Sequence, residues 1–185
     1  MQEVEPIKWR IFHTLSKLIE NSDLEHISTK EICEASGISR QTFYRNFQDK
    51  YAVVKWHFDL MAERSLKQAG RTLTWQEAHK LLFSNLSSQK TVYERAAYSD
   101  MIMKQDIYRW SYNLYTETLT QYKKMAPTRS LLFQIDAAAL LNVELAFKWG
   151  RGGMKQSPEE MAQLLDTVLP QELKNIFEYD LKINH

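Results

Sequence analysis

The chain has 185 residues, is 44% hydrophobic and 25% charged, and carries a formal net charge of +1. These values exclude an intrinsically disordered chain and a chain that is strongly basic throughout. Its one cysteine excludes an internal disulfide. The acidic start, Met1–Pro6, precedes no secretory apolar region, and the most apolar stretch, Ala137–Trp149, is too short to span a bilayer. We therefore expect a cytoplasmic protein with no membrane partner.

The first fifty residues have the pattern of three short helices. Apolar residues at spacings of three and four predict the first helix, which ends near Asn21–Asp23. A capping box, Ser28–Glu31, opens the second helix, and Gly37 ends it because glycine enters the left-handed conformation without penalty. Ser39 then caps the third helix. A Gly-containing turn between two short helices predicts a helix-turn-helix, whose second helix enters the major groove of DNA.

The rest of the chain continues in helices and shows no strand pattern. Asp49 caps a fourth helix that is predicted to run to about Ala69–Gly70. Capping boxes open further helices at Thr74 and Ser157, and Pro170 interrupts the last helical region. The longer helices are predicted at about 104–125 and 129–149.

These elements predict an all-α fold with two domains. The N-terminal three-helix helix-turn-helix domain covers residues 1–56 and is expected to bind DNA. A long helix joins it to a C-terminal helical bundle, residues 57–185, which is expected to bind a ligand and to dimerise.

The positive charge that DNA binding requires is local. Residues 39–56 hold four positive side chains and one negative, whereas residues 1–38 hold four positive and seven negative. Arg40 can bind guanine, Gln41 can bind adenine, and the Thr42 methyl group can contact thymine. Tyr44 could instead pack against its neighbours, and Arg45 could be a solvated surface charge. The full set of candidate DNA-contacting residues is Thr29, Lys30, Ser39, Arg40, Gln41, Thr42, Tyr44, Arg45 and Lys50.

The run Ile27–Lys50, ISTKEICEASGISRQTFYRNFQDK, resembles the tetracycline-repressor (TetR/AcrR) family. The resemblance implies that Tyr44 contacts phosphate and that Gln41 faces the groove, although the family often has Gly or Pro at that position. Thr29 and Lys50 match further phosphate-contacting positions, and Arg40 and Thr42 match groove-facing ones. The matching residues are Thr29, Gly37, Ile38, Ser39, Thr42, Phe43, Tyr44, Phe47 and Lys50.

A second stretch, residues 147–160, resembles a common ending of the same family: an apolar helix, a tryptophan, a Gly-Met pair and Ser-Pro-Glu-Glu. The resemblance implies a homodimer that binds a palindromic DNA operator, in most members as a repressor under the control of a small molecule. The expected dimer interface comprises Ala138, Leu141, Leu145, Met161, Leu164, Leu165 and Val168.

Aromatic and methionine side chains are concentrated in the middle of the chain. Tyr108, Tyr112 and Tyr115 share one predicted helical face, and buried phenols without partners are costly, so a cavity is one interpretation. The other interpretation is that these side chains pack the bundle. Asn142 lies in an otherwise apolar helix and could face the same cavity. The candidate pocket residues are Tyr93, Met101, Tyr108, Tyr112, Tyr115 and Asn142.

The sequence predicts no enzyme, no cofactor and no metal site. The histidines lack the spacing of metal ligands, and no phosphate-binding glycine loop follows a strand. Cys33 is expected to be a buried small hydrophobe. Two alternatives remain open at this point: an all-α enzyme, and a DNA-binding regulator that responds to a partner protein or to no ligand.

Overall fold

The computed structural model describes the backbone of residues 4–99 and 101–178 and the side chains of residues 7–97 and 104–178. Over these ranges the chain is all-α, as predicted, and contains no strand. Short 3₁₀ turns lie at Leu24–His26 and Leu66–Gln68. The α-helices are α1 (Val4–Asn21), α2 (Thr29–Ser36), α3 (Arg40–Asn46), α4 (Lys50–Arg64), α5 (Trp75–Ser88), α6 (Lys90–Ser99), α7 (Met101–Glu117), α8 (Arg129–Arg151), α9 (Pro158–Val168) and α10 (Gln171–Glu178).

The first three helices pack around the buried rings of Phe43 and Phe47. The predicted capping box of α2 is present, because Ser28 Oγ accepts from the Glu31 amide and the Glu31 carboxylate accepts from the Ser28 amide at 2.7 Å. Gly37 ends α2 with a φ of 65°, in the left-handed region that favours glycine. The sequence-based prediction of a helix-turn-helix is therefore confirmed.

The fourth helix is shorter than predicted and is buried on two sides. It contacts α1 on one side and α5 on the other. The helix ends at Arg64 and not at Ala69–Gly70, since at Ser65 the backbone leaves the helical conformation. The Ser65 hydroxyl donates to the Met61 carbonyl at 2.7 Å and so satisfies one carbonyl of the last turn. The link between the two parts of the chain is thus a buried four-turn helix followed by a compact turn.

The remaining helices form a bundle in which α5 packs on α9, while α6 and α7 pack on α8. The C-terminal α10 closes the bundle against α5 and α8. Its buried Phe177 packs against the rings of Trp75 and Tyr115. Gly70 is required here, because a Cβ at this position would lie 2.8 Å from Phe177 Cδ1 and its φ is 70°.

Two details of the bundle differ from the sequence-based prediction. The helix predicted at 104–125 ends as α-helix at Glu117 and continues as a π-helical segment, Thr118–Tyr122. The capping box predicted at Ser157 is only half formed: Ser157 Oγ accepts from the Glu160 amide, but among the described residues no return bond from the Glu160 carboxylate exists. Pro170 separates α9 from α10, as predicted.

One helix in the described part of the chain, α8, is long and apolar enough to cross a bilayer by length and composition alone. A single helix of this kind is weak support for a membrane span, since a core helix meets the same criteria. In the most apolar window of α8, 39% of the residues are buried inside the protein. The exposed positions of α8 include three large apolar residues, Phe133, Leu140 and Leu141.

A buried histidine joins the helix-turn-helix domain to the bundle. His57, on α4, stacks on Phe12 of α1 with ring centroids 3.8 Å apart and an interplanar angle of 13°. Its Nδ1 is 2.7 Å from the Tyr93 hydroxyl on α6. Burial, with a smaller contribution from nearby His13, lowers the pKa of His57 to about 4, so the imidazole is neutral at neutral pH. We call the Phe12–His57–Tyr93 contact the interdomain joint.

We predict that the joint makes stability depend on pH. Because the pKa of His57 is about 4 when folded and about 6.5 when unfolded, the unfolded chain binds more protons between these values. The free energy of unfolding should therefore be highest above about pH 6.5 and fall as the pH drops toward 4. Urea titrations from pH 5 to 7 should give a smaller pH slope for His57→Gln than for wild type. His26→Gln, at an exposed position, is the control, and an equal slope for His57→Gln would contradict the prediction.

Candidate DNA-binding surface and internal cavity

The start of α3 presents free polar side chains. Ser39 Oγ accepts from the Thr42 amide at 3.0 Å and also lies 3.0 Å from the Thr42 hydroxyl. This cap uses the hydroxyl of Thr42 and leaves its methyl group for other contacts. Arg40 and Gln41 are exposed and form no hydrogen bond or ion pair with any described residue. The first turn of α3 therefore carries an unpaired cation and an unpaired amide that can donate to base edges.

Two further side chains of α3 point away from the core. Tyr44 is 57% exposed, and its ring packs edge-on against buried Phe43. A large aromatic side chain that is exposed and lies next to a cation does not contribute to the core and is available for binding. Arg45 is exposed and has no ion pair within the described part of the chain. Both residues are therefore exposed on α3, where the sequence predicted contacts with phosphate.

Lys50, at the first position of α4, is turned toward the protein. Its Nζ donates to the Glu25 carbonyl at 2.6 Å and to the Ile27 carbonyl at 2.8 Å. Desolvation lowers the pKa of the ammonium group, although nearby Glu25 opposes the shift. Lys50 therefore fixes the loop before α2 onto α4, and one of its three donors remains for a phosphate. The sequence did not predict this structural role.

The start of α2 offers less to an anion than the sequence suggested. The Glu31 carboxylate accepts hydrogen bonds from the Ser28 amide and hydroxyl, both at 2.7 Å. The helix N-terminus therefore already has a negatively charged group bound to part of its donors. Lys30 Nζ lies 3.7 Å from the Glu34 carboxylate, and both side chains are exposed. Thr29 is half-buried and its hydroxyl has no partner among the described residues. Thr29 and Lys30 can still contact a phosphate from this edge.

No group of three or more potential metal ligands exists within the described residues. Cys33 is buried, as predicted, and burial raises the pKa of its thiol.

An internal cavity of about 70 Å³ lies between α4, α5, α6, α7 and α8. Most of its walls are apolar, and its polar lining residues include His79, Ser111, Tyr115 and Asn142. Pockets for ligands of drug size are typically about 300–1,000 Å³, so this cavity is small in the conformation described. The other lining residues are Phe58, Leu66, Leu82, Phe83, Leu86, Tyr93, Ala96, Ala97, Ile107, Val143, Ala146, Phe147, Trp149, Gly150 and Met154.

The structure divides the predicted pocket residues into two groups. Tyr93, Tyr115 and Asn142 line the cavity. Tyr108 and Tyr112 do not; they line a surface depression together with α8, where the Tyr108 hydroxyl donates to the Asp136 carboxylate. The three tyrosines therefore do not face one site, because Tyr115 packs into the cavity wall whereas Tyr108 and Tyr112 lie against α8 at the surface depression. The side chain of Met101 lies outside the described residues.

The sequence reasoning missed two polar residues of the cavity, His79 and Ser111. His79 donates from Nδ1 to the Trp75 carbonyl at 2.8 Å, since a carbonyl can only accept. Its Nε2 must therefore accept, and Asn142 Nδ2 lies 3.2 Å away. A signal was available: His79 lies one turn after the Trp75 of a strong capping box, on the buried side of an amphipathic helix.

The comparisons with known proteins agree with this geometry. Residues 11–55 match the model of the bacterial regulatory proteins of the tetR family. Residues 11–55 therefore form a DNA-binding domain of the tetR family type, and the chain is a DNA-binding transcriptional regulator. The match covers the helix-turn-helix, including all of α2 and α3.

Solved structures with the same fold extend the likeness to the bundle. The dihydroxyacetone kinase operon activator DhaS is 19% identical with a TM-score of 0.66, and the alignment covers 91% of this chain and 96% of DhaS. The TetR family repressor AlkX from Dietzia sp. strain DQ12-45-1b is 16% identical with a TM-score of 0.56, and the alignment covers 91% of this chain and 98% of AlkX. At these identities the likeness shows the fold. No curated protein matches the chain by sequence.

An apolar face lies on the outside of α8 and α9 of this regulator. We call it the α8–α9 face; it comprises Phe133, which is 73% exposed, and the exposed Leu140, Leu141, Leu164 and Val168. Of the predicted interface residues, Leu141, Leu164 and Val168 belong to this face and Leu145 is half-buried. The prediction is wrong for Ala138, Met161 and Leu165, which are buried within the protomer because the inner sides of α8 and α9 pack against the bundle.

The sequence reasoning did not single out Phe133 and Leu140. Their positions relative to Ala137 and Leu141 give the spacings of three and four that mark one side of a helix. Because α8 is apolar on both sides, the sequence pattern does not show which side faces the core. The pattern alone therefore could not assign Phe133 and Leu140 to the exposed side.

Proposed function

We propose that this chain is a homodimeric, cytoplasmic repressor that binds a palindromic DNA operator through residues 1–56. Residues 57–185 then form the dimerisation and ligand-binding domain, and a small-molecule effector changes the affinity for DNA. The proposal includes no enzymatic activity and no cofactor. DhaS is named as an activator and AlkX as a repressor. We propose repression because a dimer that fills two major grooves excludes other proteins from the same DNA.

The α8–α9 face supports the homodimer. Several large apolar side chains exposed on two neighbouring elements of the chain are uncommon on a monomer, and larger exposed apolar patches usually mark an interface. A two-fold axis through this face would bring two copies of α8 and α9 together as a four-helix contact. The same axis would relate two copies of α3. Palindromic half-sites are the DNA counterpart of that symmetry.

The exposed side chains of α3 support the contact with DNA. Arg40, Gln41 and the Thr42 methyl group stand at the N-terminal turn, which in a helix-turn-helix faces the base edges. Ser39, Tyr44 and Arg45 flank them, and Thr29, Lys30 and the remaining donor of Lys50 lie on the α2 side. The two recognition helices must lie about 34–36 Å apart to enter successive major grooves.

The interdomain joint is the single observation that carries ligand control. Tyr93 lines the cavity with its ring and reaches His57 with its hydroxyl, while His57 stacks on Phe12 of the helix-turn-helix domain. A ligand that moves the Tyr93 ring therefore also displaces α4 relative to α1. Since the operator fixes the separation of the two copies of α3, a shift of this kind changes the affinity for DNA. The ligand must bind more tightly to the dimer conformation with one α3–α3 separation than to the conformation with the other.

A ligand-independent or partner-controlled regulator is the second candidate. The observation that favours it is the small volume of the cavity, about 70 Å³. The two candidates differ in one result: for a ligand-independent regulator, no small molecule that occupies the cavity changes the affinity for the operator.

We predict that two arginines of α3 contribute to DNA binding in different ways. Arg45→Ala should weaken binding to the preferred duplex and to random duplex alike, and should reduce the slope of log affinity against log salt by about one. Arg40→Ala should cost about 1–3 kcal/mol mainly on the preferred duplex, because a bidentate base contact is lost. Fluorescence anisotropy on a duplex selected with the wild-type protein gives both values.

Arg64→Ala, at the exposed end of α4, is the charge-matched control and should bind like the wild type. Lys50 is a poor choice for this test, since its removal also frees two loop carbonyls. Unchanged affinity of the Arg40→Ala/Arg45→Ala double variant would rule out α3 as the recognition helix.

We predict that the α8–α9 face holds the dimer together. Leu141→Asp and Leu164→Asp should each shift sedimentation from dimer to monomer at micromolar concentration and weaken operator binding, because a charge is then placed in an apolar interface. Leu81→Asp is the matched control, since Leu81 on α5 is 38% exposed and Leu141 is 37% exposed. A wild-type monomer, or equal dissociation of the Leu81→Asp variant, would contradict the prediction.

A further inference from the structure

The walls of the cavity carry no formal charge. Among the described residues that line it, none is Asp, Glu, Lys or Arg. Charged side chains near the lining residues have other partners: Lys104 pairs with Glu144, and Arg151 donates to the Ala97 carbonyl. Asp59 and Asp166, which act electrostatically on Tyr93 and His79, do not themselves line the cavity. Transfer of a charged group from water into such a site is unfavourable, because no opposite charge replaces its hydration.

The titratable residues of the cavity also stay neutral. Burial lowers the pKa of His79 to about 4, against the weaker opposing effect of its bond to the Trp75 carbonyl. Burial raises the pKa of the Tyr115 phenol, so the hydroxyl keeps its proton. Tyr93 is likewise protonated, and its hydroxyl is directed to His57 and away from the cavity. A charged ligand would therefore find no counter-ion at neutral pH.

Two hydrogen-bonding groups of the cavity lack partners. Because His79 Nε2 is an acceptor, the Asn142 side chain must donate to it from Nδ2. The same Nδ2 lies 3.4 Å from the Tyr115 hydroxyl oxygen. Asn142 Oδ1 is left without a donor, and the Tyr115 hydroxyl hydrogen is left without an acceptor, within the described part of the chain. Buried polar groups normally find partners, so one acceptor and one donor are available side by side. Ser111 is a further polar residue in the lining.

The size of the cavity limits the occupant. Its volume of about 70 Å³ is roughly half of the 150 Å³ of an apolar cavity that holds benzene. A molecule of the size of benzene or of a four-carbon alcohol therefore enters only if the helices move slightly apart.

We infer that the cavity binds a small uncharged molecule that is apolar over most of its surface and bears one hydroxyl or carbonyl group. This group lies against Asn142 Oδ1 and the Tyr115 hydroxyl, and the apolar part lies against the side chains of α5, α6 and α8. The inference rests on the ligand control proposed above, and it adds the chemical class of the ligand and the residues that select it.

The experiment compares three probes of one chain length: butan-1-ol, butanoate and butylammonium. Each is titrated into ¹⁵N-labelled wild-type protein, and the amide signals of α7 and α8 are followed by NMR. Butan-1-ol should shift the signals of residues around Ser111 and Asn142 saturably. Butanoate and butylammonium should bind at least about tenfold more weakly, because each must leave its hydration without a counter-ion.

The polar contact is tested with matched phenylalanine variants. Tyr115→Phe should weaken butan-1-ol binding by about threefold to tenfold, since one hydrogen bond is lost. Tyr112→Phe removes a hydroxyl that lies outside the cavity and should leave the affinity unchanged. The charge comparison uses only the wild type, so the test does not depend on the folding of a variant.

Saturable binding of butan-1-ol alone supports the inference. Binding of either charged probe as tightly as butan-1-ol, or the absence of saturable binding by all three, overturns it. Operator affinity measured with and without butan-1-ol separates this result from the proposed function. If butan-1-ol binds at Asn142 and operator affinity does not change, the ligand class stands and ligand control fails.

Discussion

The neutral imidazole of His57 is the constraint on which the relation between the two domains depends. Its ring stacks on Phe12 of the helix-turn-helix domain, and its Nδ1 meets the Tyr93 hydroxyl of the bundle. A charged imidazolium in this position would lose both hydration and the fit of the stack, so burial and function require the same protonation state. Because α4 carries His57 and begins directly after the recognition helix, the position of α3 follows from this contact.

Charge is distributed to match the two tasks. The chain as a whole is almost neutral, but α3 carries two exposed cations, Arg40 and Arg45, that have no ion pair among the described residues. The cavity, in contrast, contains no charged side chain among its described lining residues. We propose that phosphate is attracted mainly to α3 and the start of α2. Selection inside the bundle depends instead on shape and on the hydrogen bonds of Asn142 and Tyr115.

Local signals predicted the first domain well. Ser28, Glu31, Gly37 and Ser39 act through bonds within a few residues of themselves, so their spacing alone specified caps that the structure contains. The end of α4 was not predictable in this way, because a serine does not by itself mark the end of a helix. The structure shows that the helix ends before Ser65, whose hydroxyl donates to the Met61 carbonyl. The role of Lys50 also depends on a contact 25 residues away in sequence.

The bundle shows where a single sequence is ambiguous. α8 is apolar on both sides, and only the packing of α6 and α7 reveals that Ala138 faces inward and Leu141 outward. Tyr108 and Tyr115 lie two turns apart, yet one meets Asp136 at the surface and the other meets Asn142 in the cavity. Periodicity identifies which residues share a helix face, but not which helix packs against that face. The packing partner determines whether a tyrosine hydroxyl lies in the cavity or at the surface.

The operator affinity of Tyr93→Phe is the most direct test of the central claim, that the interdomain joint couples the cavity to DNA binding. This variant keeps the ring in the cavity wall and removes only the hydroxyl that reaches His57. If the joint positions α3, affinity should fall by about fivefold, the equivalent of about 1 kcal/mol for one lost hydrogen bond. Tyr108→Phe, which loses a surface hydroxyl, should bind like the wild type. A Tyr93→Phe protein with wild-type operator affinity would contradict the account.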